Sequence, residues 1–187
     1  MIWWMLPNML EAQIQMALDR LSNDEFDRLR VDPVWIDEAA EAFKEALQRQ
    51  LIDRGKNDFR LRMSNVGRPL CQLQMAANGA DASRKPYNFK MMMMIGDAVE
   101  CITDVILKIA CANITGGKDQ VELELAGTVI RGTDDIEIDD KVFDIKSCSP
   151  WAFDNKWSKG YEHMRDNDAF GYVGQLIGYA KAKGKDP

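Results

Sequence analysis

The segment from Asp135 to Lys146, DIEIDDKVFDIK, constrains the chain more than any other. Asp139-Asp140 interrupts two alternating apolar runs, with Ile136 and Ile138 before it and Val142 after it. That is the pattern of an antiparallel hairpin closed by an acidic dipeptide. With the dipeptide as the loop, Ile138 faces Lys141, Glu137 faces Val142, Ile136 faces Phe143 and Asp135 faces Asp144, with β-carbons roughly 5 Å apart across each pair. Side chains alternate with period two, so Lys146 emerges on the face of Asp144, while Asp134 and Ile145 point the other way. Of the two adjacent aspartates, Asp135 is therefore the candidate site residue.

Two carboxylates placed opposite one another destabilise a bare sheet and ask for a compensating cation. A hard divalent ion, magnesium or manganese, suits oxygen donors, whereas zinc calls for imidazole or thiolate, and the chain has one His. The plainer reading is a solvated acidic turn with a surface lysine.

A chain of 187 residues fits one globular domain with a full core and a small helical appendage. Cys71, Cys101, Cys111 and Cys148 form no CxxC pair, which suggests buried free thiols in a reducing, cytoplasmic setting. The start, MIWWMLPNML, lacks a basic n-region and meets proline and acid too soon for a signal peptide or membrane span, so it reads as a packed or partner-covered end. The net charge of -6 argues against a nonspecific nucleic-acid binder, yet it is unevenly spread. Residues 1–50 hold 5 Lys/Arg against 10 Asp/Glu, whereas residues 51–94 hold 8 against 3. That basic band, Arg54, Lys56, Arg60, Arg62, Arg68, Arg84, Lys85 and Lys90, is either a solvated face or a phosphate-tracking surface.

Helical spacing runs from Asn8 to about Leu21 and from Pro33 to about Leu51, with Asn8 and Asp32 as caps. These acidic helices offer a surface for a protein partner. In LRMSNVGRPLCQLQMAA, Ser64 reads as the N-cap of a short helix with Arg68 near its start and Pro69 in its first turn. Residues 75–88 read as a loop. A long helix follows from Phe89 to about Ala112, with Ile95, Val99, Ile102, Val105, Ile106 and Ile109 on its apolar side, Met91 to Met94 as core filler, and Glu100 off the stripe. VELELAG and TVIRGTDD alternate as strands and complete a three-stranded meander with the hairpin. Residues 152–170, with Lys156, Lys159 and Arg165, suggest a loop-rich segment over the sheet, in which His163 is a surface residue. GYVGQLIGYAKAKG is helical, and Gln175 and Tyr179 share one face.

The helix with GDAVE, the strand with GTDD, the strand with FDIK and the helix with QLIGY stand in the order found in the PD-(D/E)XK nuclease superfamily, and the chain resembles its RecB-like, lambda-exonuclease-type branch over residues 60–183. The resemblance implies an α/β fold: a restriction-endonuclease-like core of order α-β-β-β-α over 59–187, its final strand missing, behind a helical N-terminal extension over 1–58. It implies a metal-dependent DNA exonuclease of phage or microbial recombination and repair. By position, Glu100, Asp135 and Asp144 match the metal-binding acids, with the Ile145 carbonyl as a further ligand for magnesium or manganese. Lys146 matches the lysine of the terminal triplet, and Gln175 and Tyr179 match the QxxxY helix. Ser64, Arg68 and Lys156 are the expected DNA contacts. The run of C-terminal cysteines that holds an iron-sulfur cluster in some members is missing, so no cluster is expected. The alternative is a noncatalytic DNA-binding or assembly protein on the same fold.

Overall fold

A leading proline sets the second helix, because Asp32 accepts from the Val34 amide at 3.0 Å and Pro33 needs no amide partner at the first helical position. The computed structural model describes residues 6–52, 59–80 and 84–186. Along them run α1 (Leu6–Ser22), α2 (Pro33–Leu51), α3 (Leu70–Ala77), α4 (Phe89–Ile109), β1 (Ile114–Gly116), β2 (Gln120–Leu125), β3 (Thr128–Thr133), β4 (Ile136–Ile138), β5 (Lys141–Phe143), α5 (Pro150–Asn155), α6 (Gly160–Asn167) and α7 (Tyr172–Ala182). Short 3-10 turns lie at Phe26–Arg28, Met63–Asn65 and Trp157–Lys159. The chain is thus mixed α/β, with helices around small antiparallel pairings. The apolar N-terminal residues 1–5 and the basic Arg54 and Lys56 lie outside the described residues.

Packing divides the chain into two units, residues 1–55 with 87–114, and residues 56–86 with 115–187. Helix α4, expected in the core with the strands, packs with α2 and α1. In this first unit Ala17, Ile109 and Ala110 are buried against Trp35, Leu29 and Val105. Lys108 ties α4 to α2 through Glu38 at 2.9 Å and to Asp104 one turn back at 2.9 Å. Asn8 lies inside α1 and is not its cap.

The methionine run is not core filler. Met91, Met92 and Met93 are exposed, since four successive helical residues sweep a full turn and cannot all face one partner. Ile95 and Ile102 are exposed as well, although they lie in line with the buried Ile109. Ile109 is covered because Ala17 of α1 packs beside it.

In the second unit Met63 is fully buried between β3 and α7, beside Val121, Ile130 and Tyr179. Its room comes from two glycines. A Cβ on Gly132 would collide with the Met63 Cβ, and a Cβ on Gly178 would lie 2.6 Å from the Met63 sulfur. Asn65 braces the 3-10 turn from its third position: its side chain accepts from the Arg62 amide at 2.9 Å and donates to the Arg60 carbonyl at 3.1 Å. Ser64 lies inside the 3-10 turn, and α3 starts after Pro69.

The expected meander is split into a two-stranded sheet, β2-β3, and a three-stranded sheet ordered β1-β4-β5. The break falls where Asp134 turns inward: its Oδ1 accepts from the Asp119 amide at 2.9 Å, and its backbone exchanges bonds with Lys118 and Asp119. Those bonds replace ladder pairing at residues 117–119 and 134. The segment expected as loop over 152–170 is mostly α5 and α6. Ser149 caps α5 by accepting from the Ala152 amide at 3.2 Å, with Pro150 at the first helical position.

Candidate active site

The hairpin forms in the register that its alternation predicts, Ile136 to Phe143, Glu137 to Val142 and Ile138 to Lys141. Asp139 and Asp140 both have positive φ, 50° and 63°. This is the two-residue turn whose twist matches the strands, and aspartate tolerates it because its short side chain bonds locally. The Lys185 ammonium holds Asp140 at 2.6 Å, and the Asp140 amide donates to Thr115 Oγ1 at 3.0 Å.

Beyond the end of β5, the Ile145 amide donates to Asp135 Oδ2 at 2.7 Å, which keeps the two arms together. Lys146 Nζ lies 2.6 Å from Asp144 Oδ1, 3.8 Å from Asp135 Oδ2 and 3.5 Å from the Ile145 carbonyl. One ammonium thus faces both acids, although residues 144–146 lie beyond the strand on which their shared face was expected. Asp144 is nearly covered, with 8% of its side chain exposed, and Lys146 keeps 30%. From α7, Gln175 Nε2 donates to the same Asp144 oxygen at 3.4 Å, a long contact. Tyr179 follows on the same face. Burial pushes its phenol up, against a hydrogen bond with Gln175, and the Asp135 and Asp144 charges push in the same direction as burial. Its hydroxyl therefore keeps its proton at neutral pH.

Asp135, Asp144, Lys146, Ile145, Gln175 and Tyr179 all belong to the second unit and converge. Glu100 lies half-buried on α4 of the first unit. The donors that meet here are carboxylate and carbonyl oxygens, a set that fits magnesium or manganese and not zinc.

A second acidic cluster gathers around Glu137 of β4 and the Asp134 that precedes the strand. Ligand oxygens of Asp119, Asp134 and Glu137 lie within 4.8 Å of one another. An ammonium already occupies its centre, because Lys183 Nζ is 3.0 Å from Asp119 and 2.7 Å from Asp134 and is also bonded to Glu137. Burial pulls the Lys183 ammonium down, but its hydrogen bonds to Asp134, Glu137 and Asp119 outweigh this and raise it above the ordinary lysine value. Hydrogen bonds from Lys183 and Lys185 hold the Glu137 carboxyl below its ordinary value despite burial.

Of the expected DNA contacts, Arg68 follows the turn at Gly67, which lies on the start of α7. A Cβ on Gly171 would stand 2.8 Å from the Arg68 amide nitrogen, and one on Gly174 would stand 2.8 Å from the Gly67 Cα. The first amides of α7 are satisfied by Asp168, which accepts from Gly171 and Val173, each at 2.8 Å. Lys156 Nζ lies 5.7 Å over the Phe170 ring, which stacks at 5.6 Å on Tyr172, itself 5.5 Å from Trp157. Burial pushes the Tyr172 phenol up, while the nearby Lys146 and Arg68 cations pull it down and Asp168 and Asp144 push it up. His163 is half-buried, and its carbonyl accepts from Asn167 at 2.9 Å.

Ser64 lines a separate cavity of about 850 Å³ with Arg60, Arg62, Arg131 and Tyr179. Arg131 was not legible as a site residue. It joins the cavity because Arg62 forms an isolated parallel bridge with it, a pairing between segments far apart in sequence.

No helix among the described residues is long and apolar enough to cross a membrane. No protein-family model, curated protein or solved structure matches this chain.

Proposed function

We propose that the chain is a metal-dependent DNA exonuclease of phage or microbial DNA recombination, repair or processing, built on a restriction-endonuclease-like core. The observation that carries this reading is the single ammonium of Lys146 set against two carboxylates, 2.6 Å from Asp144 and 3.8 Å from Asp135, at the end of a hairpin of fixed register. A surface lysine beside a solvated turn has no need of that convergence, nor of a covered Asp144 contacted again from α7.

Asp135, Asp144 and the Ile145 carbonyl would hold magnesium or manganese. That ion would polarise a phosphoryl oxygen and lower the pKa of a water. Lys146 orients the attacking water and stabilises the charge that grows on the non-bridging oxygens. The water oxygen bonds to phosphorus, the bond to the leaving oxygen breaks, and the proton lost by water is balanced by one gained at the leaving oxygen. Gln175 steadies Asp144, and Tyr179 supplies a protonated hydroxyl beside it.

The test is incubation of the full chain with end-labelled DNA in magnesium, manganese or EDTA, beside Lys146→Ala. Metal-dependent release of label by the wild type that the variant lacks is the expected result. DNA left intact by the wild type under every metal condition, with DNA binding retained, would replace this reading with the noncatalytic one.

A further inference from the structure

The cavity lined by Arg60, Arg62 and Arg131 belongs wholly to the second unit. Two of its arginines, Arg62 and Arg131, are bridge partners on neighbouring backbone segments. Like charges set side by side this way repel and call for an anion between them. Glu122 answers part of that charge from across the β2-β3 ladder, 2.6 Å from Arg131. Among the described residues neither Arg60 nor Arg62 has a carboxylate partner. The cavity therefore carries a net positive charge on a protein whose overall charge is -6.

Arginine alone would suit any phosphate. The same cavity also exposes Phe59, Leu61 and Val129, three apolar side chains beside the guanidinium groups. A duplex turns its phosphates outward and hides its base faces in the stack, so it would leave these apolar groups without a partner. A single strand offers phosphates and unstacked base faces together, and the pairing of aromatic and basic groups is how such strands are held. The wall of the cavity is Tyr179, whose ring also belongs to the acid site through Gln175 and Asp144. Its hydroxyl rests on Gly132, where a Cβ would come within 3.0 Å of it. A strand seated in the cavity thus has the acids one side chain away.

We propose that this cavity binds single-stranded DNA next to the acid site, with bases on Phe59, Leu61 and Val129 and phosphates on Arg60, Arg62 and Arg131, and so selects single strands as substrate. This rests on the reading that the chain acts on DNA, and it adds the strand form.

The experiment is fluorescence anisotropy in EDTA, where no cleavage occurs, with a labelled single-stranded oligonucleotide and the same sequence as a duplex. Wild type, Phe59→Ala, Phe59→Trp, Arg60→Ala and Arg62→Ala are compared, with Lys44→Ala of the first unit as a charge control. The wild type is expected to bind the single strand more tightly. Phe59→Ala weakens single-strand binding about tenfold and Phe59→Trp restores it. Each arginine removed lowers the slope of log affinity against log salt by about 0.7. Equal affinity for both forms, or a preference unchanged by the Phe59 and arginine variants, overturns the proposal. Thermal unfolding of each variant identifies a variant that fails by misfolding, and Phe59→Trp keeps the test decisive in that case. Cleavage by the wild type in magnesium or manganese is read apart from binding: absence of a strand preference with cleavage intact sinks the cavity alone, and single-strand binding without cleavage sinks the hydrolytic reading alone.

Discussion

Asp134 and Asp135 are neighbours in sequence and opposites in role. The Asp134 side chain is fully buried, where it accepts from Lys183 and from the Asp119 amide. Lys183 keeps Asp119 and Glu137 when Asp134 is removed, so Asp134→Ala should cost about 1 to 3 kcal/mol of stability through the lost buried hydrogen bonds, read as a lowered urea midpoint. Asp135→Ala removes the acceptor of the Ile145 amide but leaves the Lys183 cluster whole, so its main effect should fall on cleavage. Lys146→Ala should cut cleavage by about a hundredfold or more if the amine acts on the reacting water, while its thermal midpoint stays near that of wild type because the side chain is partly exposed. A Lys146→Ala protein that cleaves at the wild-type rate would remove the lysine from the chemistry. The distinction between residues 134 and 135 was legible from alternation alone. The partner of Asp134 was not, because Lys183 is distant in sequence and nothing in the local pattern marks it.

At the scale of elements, Met63 joins three of them: the 3-10 turn that carries it, β3 through Gly132 and α7 through Gly178. Met63→Ala should cost about 2 to 5 kcal/mol through the cavity it leaves. Gly132→Ala should cost about 1 to 3 kcal/mol through overpacking, since the new methyl would meet Met63 and lie 2.9 Å from Tyr179 Cε1. The double variant is expected to cost less than the sum, because the smaller residue at 63 makes room at 132. Additive costs in chemical denaturation would mean that the two sites do not share this volume. The strong local signals survived at this scale, namely the hairpin register and the Asp32-Pro33 start of α2. Ser64 looked like the cap of the helix that follows, whereas it lies inside a 3-10 turn that Asn65 closes by bonding back to Arg62 and Arg60, and α3 starts only after Pro69. The sheet read as one meander because its residues alternate throughout, and it breaks where the bonding of Asp134 overrides that alternation.

At the scale of the molecule, the ion cluster behind β4 sets a pH window. Glu137 has a lowered pKa, so its contribution is present above the ordinary value of 4.5 and is lost as pH falls through the lowered one. Lys183 has a raised pKa, so its contribution is present below the ordinary 10.5 and is lost as pH rises through the raised one. The thermal midpoint should be flat between these limits and fall on the acid side, and Glu137→Gln should flatten that acid limb. An acid limb unchanged in Glu137→Gln would assign it to other carboxylates. The Lys183 ammonium is in effect a counterion attached by its own covalent tether, so no chelator can carry it off. If the proposed metal chemistry holds, EDTA should therefore abolish cleavage while the unfolding curve, to which the Lys183 cluster contributes, does not move.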